Sequence, residues 1–176
     1  GNPAARRMCL QPCRPVPIWP VRNNWPSNGS LPAPARPGTA AMPAAANPDR
    51  WGAAWPNTDF TRTAVDFTEI MSGGPPRDGI PALSDPGFIA VDLETRLDPT
   101  EPVIAVEIDG AEPRAYPLRY LTWHEIVNDE VGGIPVAVTF CPLCNSAITF
   151  DRRVEGAVLT FGVTGKLRKS DMVMVD

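Results

Sequence analysis

The 176-residue sequence predicts a β-rich α+β domain, an antiparallel sheet with two short helices, preceded by a disordered proline-rich arm. Three observations carry that expectation. Eleven of the 22 prolines fall between Pro3 and Pro48, beyond them short β-prone runs are punctuated by Gly, Pro and Asp-Gly turn signals, and two stretches have helical spacing. The boundary is placed at residue 50, with an arm over 1–50 and one domain over 51–176, a length that supports a single core. The formal charge of -4, from 16 basic and 20 acidic residues, excludes a nucleic-acid footprint, which needs clustered Lys and Arg. Every apolar stretch is broken within about ten residues, so no membrane-spanning segment is expected. Partner and oligomeric state leave no signature.

From Gly1 to about Asp49 there is no helical or strand periodicity, and proline-punctuated segments such as CLQPCRPVPIWP cannot form a hydrogen-bonded ladder. Trp19 and Trp25 are candidate anchors for a partner groove, and Cys9 and Cys13 are spaced four apart. Ala40 to Ala46 is a small-residue run of the kind found at signal cleavage sites, without the apolar segment that precedes one.

A helix is expected around Thr63 to Met71, with Val65, Phe67 and Ile70 facing a core and the Gly-Pro run from Ser72 to Pro76 ending it. Arg77 and Asp78 follow on a loop constrained by Gly79 and Pro81. Phe88 to Leu93 and Val103 to Ile108 read as strands. Asp109-Gly110 is a hairpin signal, and Ala111 to Leu118 returns antiparallel, its prolines confining it to an edge. Leu118 to Asn128 has helical spacing, with Tyr120, Trp123 and Val127 on one side and His124 and Asn128 as a separate i, i+4 pair. Gly132-Gly133 ends that helix, and the chain enters the run Ile134 to Arg152, which sets Cys141-Pro142-Leu143-Cys144 between two strands. Val158 to Val163 is expected to pair back on Ala147 to Asp151. Gly165 to Ser170 reads as a basic loop without Walker spacing, and Met172 to Asp176 as a strand.

The candidate catalytic residues are Cys141, Cys144 and His124, and the same three are the candidate metal ligands. Two thiols separated by two residues can close a disulfide, exchange electrons or hold a soft metal. With His124, the sole histidine, they supply three of the four ligands that zinc or another transition metal takes, Glu125 or water being the fourth. In a redox use Cys141 is the nucleophile and Cys144 the resolving thiol. In a Cys-His nucleophile pair His124 activates Cys141 and is oriented through Asn128 or Asp129. A fourth reading makes the pair a static disulfide staple in a non-catalytic structural or interaction domain.

GGPPRDGIPAL (Gly73 to Leu83), AYPLRYLTWHEIVND (Ala115 to Asp129), CPLCNSA (Cys141 to Ala147) and FGVTGKLRKSDMVMVD (Phe161 to Asp176) together resemble the bacterial domain-of-unknown-function family numbered 3179. The resemblance runs from about Trp51 onward and brings no activity. It implies an extracytoplasmic, periplasmic location, since such proteins are exported or membrane-tethered. It also implies that the cysteine knuckle, His124 and the Arg77-Asp78 loop share one domain. Family members continue beyond the SDMVMVD segment, so the resemblance implies a C-terminally shortened domain.

Overall fold

The structure is a computed structural model and describes residues 51–176. The expectations for the proline-rich arm, including Trp19, Trp25, Cys9 and Cys13, lie outside the described residues.

Eleven strands and one α-helix run in the order β1 (Ile70–Ser72), β2 (Leu83–Ser84), β3 (Val103–Val106), β4 (Arg114–Pro117), α1 (Leu118–His124), β5 (Ile126–Val131), β6 (Ile134–Cys141), β7 (Ser146–Asp151), β8 (Arg153–Val154), β9 (Ala157–Val158), β10 (Gly162–Arg168) and β11 (Asp171–Val175). The central sheet has the order β2-β5-β6-β7, antiparallel through β5, β6 and β7, with β2 added parallel to β5. Strand alternation gives this sheet two apolar faces. Val127, Val131, Val136, Val138 and Phe140 pack with Ile104, Val106, Tyr116 and Leu121, so the β3-β4 hairpin and α1 cover one face. Ile126 and Ala137 point the other way, onto Val163 and Met174 of the β1-β10-β11 sheet and onto Phe161 just ahead of β10. The outer face of that second sheet is covered in turn by Trp51 and Trp55, which pack on Ile70, Val173 and Val175. The result is a layered β structure, and no helix of the described residues is long and apolar enough to cross a membrane.

The hairpin that Asp109-Gly110 marks forms as expected, and Gly132-Gly133, expected only to end a helix, makes a second one. Asp109-Gly110 links β3 to β4, with Gly110 at φ 77°, and Gly132-Gly133, at φ 58° and 76°, links β5 to β6. Elsewhere the structure corrects the sequence reading. Thr63 to Met71 is not a helix: Asp66 accepts from the Thr68 N–H at 2.8 Å and caps a 3-10 turn over Phe67–Glu69, after which Ile70 enters β1 fully buried. Only one of the two expected helices therefore exists as an α-helix. Phe88 to Leu93 is not a strand either. It pairs with no sheet edge, Val91–Leu93 forms a 3-10 turn, and Val91 and Leu93 are exposed. The α-helix stops at His124, four residues short of the expected end. Glu125 takes φ 58°, and β-branched Ile126 and Val127 join the ladder to β6, where pairing outweighs helical spacing.

Val158 does not pair on β7 but forms the two-residue β8-β9 hairpin, and the chain then crosses to the second sheet as β10. The basic stretch from Gly165 is mostly strand, the turn being confined to Lys169 and Ser170, at φ 49° and 60°. A register shift between Val163 and Lys166 bulges β10. Gly73 donates to the Gly165 carbonyl at 2.8 Å and Asp78 to the Val163 carbonyl at 2.9 Å. The GGPPRDG and FGVTGK segments are thus in contact, and a Cβ on Gly165 would stand 1.9 Å from the Pro75 carbonyl oxygen.

Candidate functional site

Six paired positions, from Val136↔Asp151 to Cys141↔Ser146, hold β6 against β7. Across the intervening turn the Cys144 N–H donates to the Cys141 carbonyl at 3.2 Å. Asn145 takes the left-handed conformation at φ 48°, which Asn tolerates better than most residues. Cys141 and Cys144 are joined as a disulfide with Cα atoms 5.2 Å apart, within the usual span. Cys141 is buried at 3% exposure, while Cys144 is half-buried and Leu143 between them is 74% exposed.

The end of α1 lies beside this turn. The Phe140 N–H donates to the Glu125 carbonyl at 2.8 Å, next to Cys141, and Glu125 N–H closes the helix on the Leu121 carbonyl at 2.8 Å. His124 Nδ1 lies 2.8 Å from the Pro81 carbonyl. A carbonyl only accepts, so Nδ1 carries the hydrogen and a neutral ring keeps its lone pair on Nε2. Burial pushes the half-buried Glu125 carboxyl above the usual glutamate range.

The relay from Cys141 through His124 to Asn128 or Asp129 does not form. His124 turns to Pro81, and Asn128 and Asp129 lie on β5, where they point to opposite faces. The Asn128 side chain donates to the Phe161 carbonyl at 2.8 Å and the Leu83 carbonyl at 3.3 Å, and accepts from the Phe161 N–H at 2.8 Å. Asp129, 4% exposed, takes Arg114 Nη1 at 2.5 Å and the Tyr116 hydroxyl at 2.7 Å. Desolvation, then the hydrogen bond to Asp129, pushes the Tyr116 phenol well above its ordinary range. Arg114 also stacks over Phe88 at 4.6 Å, and Arg152 donates to the Asp129 carbonyl at 3.1 Å. This buried polar network escaped the sequence reading. Its signal is the alternation of Arg114 and Tyr116, two apart on a strand and so on one face.

Among the described residues, no group of three or more His, Cys, Asp and Glu is gathered around a point that could hold a metal. With its sulfurs joined, the pair offers no thiolate ligand in this oxidised form. Arg77 and Asp78 lie on the loop against β10, where the Asp78 N–H donates to the Val163 carbonyl. Arg77 Nε lies 3.2 Å from Asp78 Oδ2, and Nη1 donates to the Ala54 carbonyl at 2.8 Å, a structural tie to the Trp51–Trp55 turn. What the arrangement offers chemically is therefore one disulfide at a strand turn, with one buried and one half-buried end. A family model described as "Protein of unknown function (DUF3179)" matches residues 77–176, more than half of the chain. No curated protein and no solved structure matches.

Proposed function

We propose a function for this chain, which belongs to the DUF3179 family: reversible thiol–disulfide exchange at Cys141 and Cys144 in an extracytoplasmic compartment. The carrying observation is a disulfide with a sequence separation of three, closing a turn that six strand pairs already close. A staple stabilises less across a short loop than across a long one, and six strand pairs hold this hairpin beside it. An extracytoplasmic setting accords with the reading because protein disulfides persist there.

Cys144 is the less buried of the two cysteines and is assigned the attacked sulfur, which reverses the roles expected from the sequence. A substrate thiolate attacks Cys144 Sγ, the Cys141–Cys144 bond breaks, and Cys141 leaves as a thiolate that takes up a proton. A second substrate thiol then attacks the mixed disulfide, the substrate disulfide forms, and Cys144 departs as a thiolate and is protonated. The protein pair has gained two electrons and two protons, and the substrate dithiol has lost them.

The test is native-state reduction. Oxidised protein is incubated with a small dithiol while its free thiols are titrated, and the Cys141→Ser and Cys144→Ser variants are offered an activated disulfide. Ready reduction, with mixed disulfide forming faster on Cys141→Ser than on Cys144→Ser, supports exchange. Resistance to excess dithiol while the protein stays folded would establish the staple instead. Stoichiometric zinc uptake by the reduced protein, lost in either serine variant, would turn the reading toward a metal site held by Cys141, Cys144 and His124.

A further inference from the structure

Of the two residues between the cysteines, Leu143 carries a strongly exposed apolar side chain, at 74%. It belongs to the ring that the disulfide closes, so a thiol that comes within bonding distance of Cys144 Sγ approaches beside it. The surroundings are uncharged along the chain: from Ile134 to Phe150 there is no Asp, Glu, Lys or Arg. The charged groups that β10 and β11 bring near are of both signs, Asp171 standing opposite Arg168 in their ladder. Asp171 Oδ1 lies 3.4 Å from the Ser146 hydroxyl, opposite Cys141 in the ladder, and Glu125 is tied by its carbonyl to Phe140.

From this we infer the substrate class of the exchange reaction: cysteines of a polypeptide flanked by apolar side chains, which Leu143 contacts as the thiol reaches Cys144. The inference rests on the exchange activity proposed above. Contact with an apolar neighbour removes Leu143 surface from water and favours such a thiol. A small polar thiol such as glutathione gains no such contact.

The test uses the whole oxidised chain and two synthetic peptides with the same Cys-Gly-Gly-Cys core, one flanked by Leu and Phe, the other by Ser and Asn. The readout is the ratio of their rates of reducing the protein disulfide. A ratio of about ten is expected, equal to about 1.4 kcal/mol of preferential contact in the transition state. Leu143→Ser brings the ratio to about one and Leu143→Met keeps it, and because the side chain is exposed neither change touches the core. Equal rates with the wild type, or a ratio that survives Leu143→Ser, would overturn the assignment of substrate class. If neither peptide nor a small dithiol reduces the protein, the exchange activity itself falls, an outcome distinct from exchange without selectivity.

Discussion

Reducing the Cys141–Cys144 bond should leave the protein folded and weaken it by an amount set by the loop it closes. That loop holds four residues, Cys141 to Cys144. The chain-entropy relation then gives about 6 cal/mol/K, or about 2 kcal/mol at 25 °C, against about 3 kcal/mol for a fifteen-residue loop. The six β6-β7 pairs and the Cys144-to-Cys141 turn bond involve no sulfur and are expected to survive reduction. Urea unfolding followed by tryptophan fluorescence, on oxidised and fully reduced protein of identical sequence, measures the difference. With a slope of about 2 kcal/mol/M for a domain of this size, the midpoint should fall by about 1 M. A reduced protein that is unfolded without denaturant, or a midpoint lower by more than about 2 M, corresponding to about 4 kcal/mol, would refute the argument and make the bond a staple.

Three further outcomes follow from the packing around the site. Asn128→Ala strips both the Phe161 N–H and carbonyl of their buried partners and should cost about 3 kcal/mol, lowering the thermal midpoint by about 10 °C; an unchanged melting curve would show that Asn128 does not tie β5 to the second sheet. Gly165→Ala drives a methyl onto the Pro75 carbonyl at φ 69°, so a loss of at least about 3 kcal/mol is expected, read as a collapse in soluble yield or urea midpoint; near-wild-type stability would mean that the GGPP loop can leave β10 freely. Glu125 has its folded-state carboxyl raised by burial, so the native state favours the protonated form. The charged form costs stability as pH rises from the unfolded glutamate value of about 4.3 to the higher folded value, and the full cost persists above it. Glu125→Gln should therefore raise the urea midpoint at pH 7 and lose that advantage below about pH 4, whereas no gain at pH 7 would contradict the burial argument.

The parts of the fold that were legible in the sequence are those whose partners are close in the chain. The β3-β4 and β6-β7 hairpins each contain both their strands and their turn, so Asp109-Gly110 and the short CPLC turn suffice to mark them. The second sheet pairs Ile70 with Arg168, and no local pattern near either residue names the other. The helix end was misplaced for a different reason. Glu125 adopts a left-handed conformation without being Gly or Asn, so the break has no compositional mark, and the spacing of Tyr120, Trp123 and Val127 continues past it. The cysteines were legible as a pair because their spacing sets their reach. Their order of exposure was not, since it depends on which face of β6 meets the second sheet. Cys141 follows Ala137 and Thr139 on that face and is covered, while Cys144 lies beyond the end of the strand.

Asn128 and Asp129 supply the last step. Adjacent on β5, they anchor opposite layers: Asn128 fixes the Phe161 backbone ahead of β10, and Asp129 fixes the β3-β4 hairpin through Arg114 and Tyr116. Both are buried, and both contacts lie within the sheet rather than at the cysteine turn. Asp129 is buried but Arg114 keeps 35% of its side chain in solvent, so removing the carboxylate costs about 2–3 kcal/mol, on the scale of what the disulfide contributes by the loop argument. Stability therefore depends on Asp129 at least as much as on the bond at the turn. If so, Asp129→Asn should destabilise oxidised and reduced protein equally, and its effect should add to that of reduction within about 0.5 kcal/mol. A coupling of 1 kcal/mol or more on the scale expected for interacting sites would mean that the disulfide and the buried network act as one structural unit, and would count against a turn free to change its redox state.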